Sequence, residues 1–286
     1  MKFGVFSVSM PEYGIEETAK VLKELGYDGV EFRVSTPAPK EKPEDYCFER
    51  RYWSFNQSTL DIGNIGEESK KAKRICDNYG LEIYSLTTYL KPHEADRIEN
   101  VLKASSSIGC KNIRVFPPNY DETENYRTIF SRTIEELKII EKLAAQYNVR
   151  VNIEIHMNTI IPSASAAYRL VSGFNPQNIG IIFDPGNMVH EGFENYKLGL
   201  ELLGEYLAYV HVKNAAWVKK ETTKNGSDIY QPVSVPLTKG FANLEKLMAV
   251  LHELGYDGYI SVEDFSNEED TLTKLRNNLA YLKKLI

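Results

Sequence analysis

Three carboxylates and one imidazole stand at the C-terminal ends of four short apolar runs. The runs are VNIEIH with Glu154, IGIIFDPGN with Asp184, AYVHVKN with His211 and YISVEDF with Glu263. Each run has the apolar content of a buried strand. A charge at the end of such a strand is costly unless something compensates it. If the strands are parallel members of one closed barrel, their ends share one mouth, and a divalent cation there compensates all four groups. Three oxygen donors and one nitrogen suit Mn²⁺ first, with Mg²⁺, Co²⁺ and Zn²⁺ also accommodated, and leave about two octahedral positions for substrate oxygens. The alternative is a carboxylate–histidine salt network around a ligand, without metal.

Side chains alternate along a strand, so parity selects further residues for the same mouth. Asn152, Glu154 and His156 share one face, and His156 is a candidate for substrate contact or proton transfer. Lys213 lies two residues past His211 and is a candidate substrate or carboxylate contact. Glu31 and Arg33 have matching parity in GVEFR, which places Arg33 at the rim; Arg114 in NIRVFP is placed similarly. Both are candidate ligand contacts, against the simpler reading of rim salt bridges. His190, His93 and His252 read as structural or surface groups.

The elements that must position these residues alternate from end to end. Strand patterns occur at FGVFSV, GVEFR, LEIYSLTTY, NIRVFP, VRVNIEIH, NIGIIFD, LAYVHV and GYISVED. Helical patterns follow them over about 16–25, 67–79, 94–108, 126–147, 163–173, 196–203, 244–254 and 270–285. The helix over 126–147 carries Ile134, Leu137, Ile140, Leu143 and Ala144 at helical spacing. Strict alternation predicts a parallel sheet with helices outside it, and eight units predict closure into one α/β barrel, a single domain over 1–286. An open doubly wound sheet would bring a Gly-rich phosphate loop after the first strand, and SVSMPEYG contains none. The repeat of GYDG before strands two and eight reuses one helix-stop signal.

Two insertions fall after strands two and seven, where active-site loops belong. The first, 34–66, holds Tyr46, Phe48, Tyr52, Trp53 and Phe55, and reads either as a satellite core or oligomer contact, or as an aromatic lid. The second, 214–240, reads as a polar loop with Lys219, Lys220 and Lys224.

Composition excludes several classes. A net charge of −6 without a block of like charge disfavours nucleic-acid binding. No apolar run approaches the roughly 20 residues of a membrane span, and MKFGVFSVSMPEYG reads as a first strand, not a signal peptide. Cys47, Cys76 and Cys110 share no metal-ligand spacing and read as reduced thiols of a cytoplasmic protein.

Over essentially its whole length the chain resembles the xylose isomerase-like TIM barrels, and within them the ketose 3-epimerase and sugar-phosphate epimerase branch. The resemblance rests on Glu154, Asp184 in DPGN, His211 in HVKN, Glu263 in SVED and PLTKG at 236–240. It implies a (β/α)8 TIM barrel in which Glu154, Asp184, His211 and Glu263 bind one divalent metal. It also implies that Glu154 and Glu263 form the acid/base pair; relatives often form dimers or tetramers, which leaves the oligomeric state of this chain open. The chemistry is coherent: a metal polarises a carbonyl, an enediolate forms, and two flanking carboxylates exchange a proton on opposite faces of one carbon. Relatives in this branch often carry His three residues after the Asp of strand six; here Asn187 stands there, suited to bind a sugar hydroxyl and unsuited as a base. The expectation is a metal-dependent epimerase or isomerase of a ketose or ketose phosphate. The alternatives are a metal-dependent lyase or dehydratase on a keto-sugar or 3-keto-glycoside, with His156 as acid, and a non-catalytic sugar-binding barrel.

Overall fold

The computed structural model describes residues 1–39, 41–44 and 46–286, the side chain of Glu49 excepted. Positions 40 and 45 of the first insertion lie outside the described residues. Eight parallel strands form the centre: β1 (Lys2–Phe6), β2 (Gly29–Ser35), β3 (Glu82–Thr87), β4 (Asn112–Val115), β5 (Arg150–Glu154), β6 (Ile179–Phe183), β7 (Leu207–Val212) and β8 (Tyr259–Val262). Each pairs with its sequence neighbour, and β8 pairs with β1, so the sheet closes on itself. The expected barrel of eight βα units is therefore what forms.

Eight helices surround it: α1 (Ile15–Leu25), α2 (Ile65–Tyr79), α3 (Ala95–Ser107), α4 (Tyr126–Tyr147), α5 (Ala164–Val171), α6 (Tyr196–Leu203), α7 (Leu244–Glu253) and α8 (Thr271–Lys283). Local signals set their ends. The Asn125 side chain accepts from the Arg127 N–H to start α4, and Asn148 at φ 51° ends it. Gly26, at φ 88°, stops α1 as the GYDG repeat predicts. The main core lies between these helices and the outer face of the barrel. The barrel interior is different. Glu31, Ser85, Asn152, Tyr84, Tyr209 and Ser261 are all buried, with the Tyr84 and Tyr259 rings stacked at 3.9 Å.

Three local features depart from the sequence reading. The insertion at 214–240 is not an irregular loop: Asn214–Thr222 and Asp228–Val235 form an antiparallel hairpin. Its lysines face solvent and masked the strand pattern, and Pro232 is tolerated because the ribbon has no third strand to bond. A short helix, Pro185–His190, follows β6 directly. The insertion at 34–66 contains a helical turn, Arg51–Ser54, and two residues, Leu60–Asp61, that pair in parallel with the end of β2. Tyr52 of that turn packs with Phe6, Val8 and Phe265 in a satellite core, whereas Trp53 is half-exposed, 4.9 Å from Phe265. Tyr52 thus meets the satellite-core reading of this segment. Among the described residues no helix is long and apolar enough to cross a membrane.

Candidate metal centre

Glu154 is the last residue of β5; Asp184 and Glu263 directly follow β6 and β8; His211 is the fifth residue of β7. Closure brings them together: one donor atom from each lies within 4.8 Å of the others. Glu154, Asp184 and His211 are fully buried and Glu263 is 3% exposed.

The sequence DPGN fixes Asp184. Its Oδ1 accepts from the Asn187 N–H at 2.9 Å and caps the helix that Pro185 opens, while its Oδ2 is turned to the other donors. Gly186 is required because a Cβ there would lie 2.4 Å from Cγ of Lys213. The Asn187 amide nitrogen lies 3.0 Å from each of Glu154 Oε1, Asp184 Oδ2 and the Ile155 carbonyl. Asn187 therefore holds two of the acids in register, and its buried Oδ1 has no partner among the described residues.

His211 is oriented by Glu31. The Nε2–H donates to Glu31 Oε2 at 2.9 Å, and Nδ1 faces Glu154 Oε1 at 3.3 Å and Asp184 and Glu263 at 3.8 Å. Glu31 also accepts from Thr87, from Tyr209 at 2.8 Å and from Ser261 at 3.0 Å. Burial alone would raise its carboxyl; His211, Thr87 and Arg114 pull it below its ordinary value. An ionised Glu31 can only accept, so Nε2 carries a proton and Nδ1 is the ring nitrogen turned to the acids, the one a metal would take.

The acids are compensated by basic side chains. Arg114 Nη1 pairs with Glu154 Oε2 and its Nε donates to the Thr88 carbonyl at 3.1 Å. The Lys213 ammonium stands inside the donor set, bonded to Glu263 Oε2, 2.8 Å from Asp184 Oδ2 and 3.7 Å from Glu154 Oε1. Burial pushes Glu263 up to about 7, while Glu154, beside Arg114 and His211, is held well below its usual value despite its burial. Burial opposes a charged imidazole, yet Glu31 and Glu154 raise His211. The set fits a divalent ion: three carboxylate oxygens and Nδ1 converge, and a cationic nitrogen already sits among them.

The remaining candidates lie around this cluster. Arg33 donates to Thr59 Oγ1 at 2.5 Å and its guanidinium lies 5.4 Å from the Tyr89 ring centre, without a carboxylate partner among the described residues. His156 bonds the Met157 carbonyl through Nδ1 at 2.8 Å and meets the Phe116 ring edge-on at 4.7 Å; burial pushes it down to about 4. It is therefore neutral near pH 7 and makes no hydrogen bond to the four donors. His190 closes the helix after Asp184, also without a bond to them. Sequence reasoning missed the function of Glu31 and did not single out Tyr89 or Lys91. The matching parity of Glu31 with Arg33 was the available signal.

A family profile described as xylose isomerase-like TIM barrel matches residues 19–285. Comparison with curated proteins finds no sequence match. Among solved structures, the 3-keto-D-glucoside 4-epimerase of E. coli is 19% identical, with 99% of each chain covered and a TM-score of 0.71. A probable 3-DHS dehydratase of Bacillus anthracis is 16% identical, with 99% of each chain covered and a TM-score of 0.71. The D-psicose 3-epimerase of Clostridium cellulolyticum H10 is 14% identical, covering 100% of this chain and 99% of its own, also at 0.71. At these identities the likeness is one of fold.

Proposed function

The chain belongs to the xylose isomerase-like TIM barrel family, and from that premise we propose that it is a divalent-metal-dependent sugar epimerase or isomerase that moves a proton beside a ketose carbonyl. The observation that carries this reading is the pair Glu154 and Glu263. They are two buried carboxylates from strands on different sides of the mouth, both reaching the Lys213 ammonium. Glu154, Asp184, His211 and Glu263 would hold the ion, which supplies Lewis-acid polarisation of the substrate carbonyl.

The chain's own groups supply the proton handling. Glu263, the more readily protonated of the two because burial and the neighbouring acids raise its carboxyl, is suited to give a proton to the opposite face. Glu154, paired with Arg114 and Asn187 and held well below its usual value, is the ionised partner that takes the proton from one face of the carbon and carries it until the reverse turnover. Inversion requires one carboxylate on each face of the reacting carbon. Neutral His156 beside Phe116 is a hydrogen-bonding contact for a substrate hydroxyl, and Trp53 with Phe265 offers an apolar platform for a sugar ring. The 3-keto-D-glucoside and D-psicose epimerases of the same fold support sugar chemistry next to a carbonyl.

The test is incubation of the Mn²⁺-loaded protein with ketoses, ketose phosphates and 3-keto-glycosides in D₂O, followed by proton NMR, with Glu263→Gln beside it. Deuterium entering next to the carbonyl with a new epimer or isomer, and lost in the variant, is the expected result. Release of an unsaturated product without exchange into a recovered sugar would replace this reading by elimination.

A further inference from the structure

The mouth of the barrel is divided by charge. The metal-binding acids come from β5, β6 and β8 or directly follow them, whereas Arg33 and Arg114 come from β2 and β4 and Lys91 from the loop after β3. Arg114 and Arg33 flank a single aromatic ring, with their guanidinium carbons 4.8 Å and 5.4 Å from the centre of Tyr89. The Lys91 ammonium lies 4.1 Å from the centre of Phe116, which Arg114 also approaches, at 5.5 Å. Only Arg114 has a carboxylate partner among the described residues. Lys91 bonds the Pro117 carbonyl and Asn119 Oδ1, both neutral.

Two donors on this side are buried and unspent: Arg33 Nε and Arg114 Nη2 have no hydrogen-bond partner among the described residues. Arg33 is 6% exposed and Arg114 2%. A buried guanidinium without an anion is costly, and an orphaned buried N–H adds to that cost. Burial and Arg114 together push Lys91 down to about 8, against the opposing pull of Glu94. The balance of the whole mouth points the same way. Carboxylates Glu31, Glu154, Asp184 and Glu263 stand against Arg33, Lys91, Arg114 and Lys213, so a divalent ion in the donor set leaves positive charge in excess.

We propose that Arg33, Arg114 and Lys91 form an oxyanion subsite around Tyr89 and that the substrate carries a phosphate or carboxylate group. The proposal rests on the sugar-epimerase reading only in calling the bound anion a substrate; the subsite itself stands on the unspent donors. Arg33 serves a phosphate or carboxylate through its planar fork, and Lys91 serves it as a point charge.

The test is titration calorimetry of inorganic phosphate, and separately of acetate, into the Mn²⁺-loaded full-length protein, its Arg33→Gln variant and its Lys91→Gln variant. Mn²⁺ affinity and thermal unfolding are measured for each protein. Loss of one charge-assisted contact should weaken oxyanion binding about tenfold or more in either variant, while Mn²⁺ affinity holds. Phosphate bound without acetate supports a phosphorylated sugar; both bound supports a carboxylate-bearing one. Failure of the wild type to bind either anion, or equal binding by wild type and variants, overturns the subsite. Should Arg33→Gln unfold, the partly exposed Lys91→Gln decides alone. Oxyanion binding that the variants lose, with no deuterium exchange in any sugar, would sink the epimerase reading and leave the subsite standing. Exchange with neutral ketoses and unchanged anion binding in the variants would do the reverse.

Discussion

Glu31 Oε2 receives the Nε2–H of His211 at 2.9 Å, and this contact turns the other ring nitrogen toward Glu154, Asp184 and Glu263. The two residues are 180 positions apart and meet across the barrel interior. A carboxylate behind a ligating imidazole fixes its tautomer and raises its basicity. Glu31→Gln should therefore lower Mn²⁺ affinity by about 10- to 100-fold, the usual cost of losing such a partner. Metal titration by calorimetry checks it, and nitrogen-15 shifts of His211 should report a mixed tautomer in the variant. Unchanged affinity would mean that Glu31 serves only the packing of the barrel interior.

Lys213 occupies the oxygens that a metal would need. Its ammonium contacts Asp184, Glu154 and Glu263, so an incoming ion must displace it. Lys213→Met should bind Mn²⁺ about tenfold more tightly, since one like charge at contact distance is removed. The same variant should be less stable without metal, because three buried acids lose a counter-charge. Thermal unfolding with and without Mn²⁺ separates the two effects; weaker metal binding in the variant would count against competition.

Metal binding should release protons. His211 is raised well above its usual value and Glu263 to about 7, so both carry protons near neutrality that ligation must remove. Calorimetry at pH 7 in buffers of different ionisation enthalpy should give about one to two protons released per ion. Affinity should rise from pH 6 to pH 8 as this competition fades. An affinity independent of pH in that range would argue against His211 as a ligand.

His156 gives the protein an acid-side weakness outside the metal cluster. Burial lowers its folded value to about 4, so between 6.5 and 4 the unfolded chain binds the proton and the folded one does not. Its contribution is present in full above pH 6.5 and is lost as pH falls toward 4, by at most about 3 kcal/mol. His156→Asn should flatten the pH dependence of unfolding by denaturant over that window relative to wild type. Parallel curves would show that the ring is open to water.

What could be read from the sequence follows the range of the interactions involved. Glu154, Asp184, His211 and Glu263 each end an apolar run, so strand periodicity and closure suffice to bring them together. The bounds of α4 follow from Asn125 and Asn148, which act within a few residues. Glu31 was visible only as a matching parity, because its partners Thr87, Tyr209, Ser261 and His211 come from three other strands. The hairpin after β7 escaped because neither face of its outer half is buried, which removes the apolar alternation that marks a strand. Asn187 reads as a substrate contact in sequence, yet its amide is spent on Glu154 and Asp184, a use that depends on the helix Pro185–His190.

Lys213 has a consequence for how the protein is made. A cluster of buried acids ordinarily leaves folding dependent on the supply of an ion. Here the counter-charge is encoded two residues after His211, so the newly synthesised chain reaches its final shape with a resident cation of its own. An ion entering here would therefore do so by exchange with Lys213 at a finished site, not as a condition of folding.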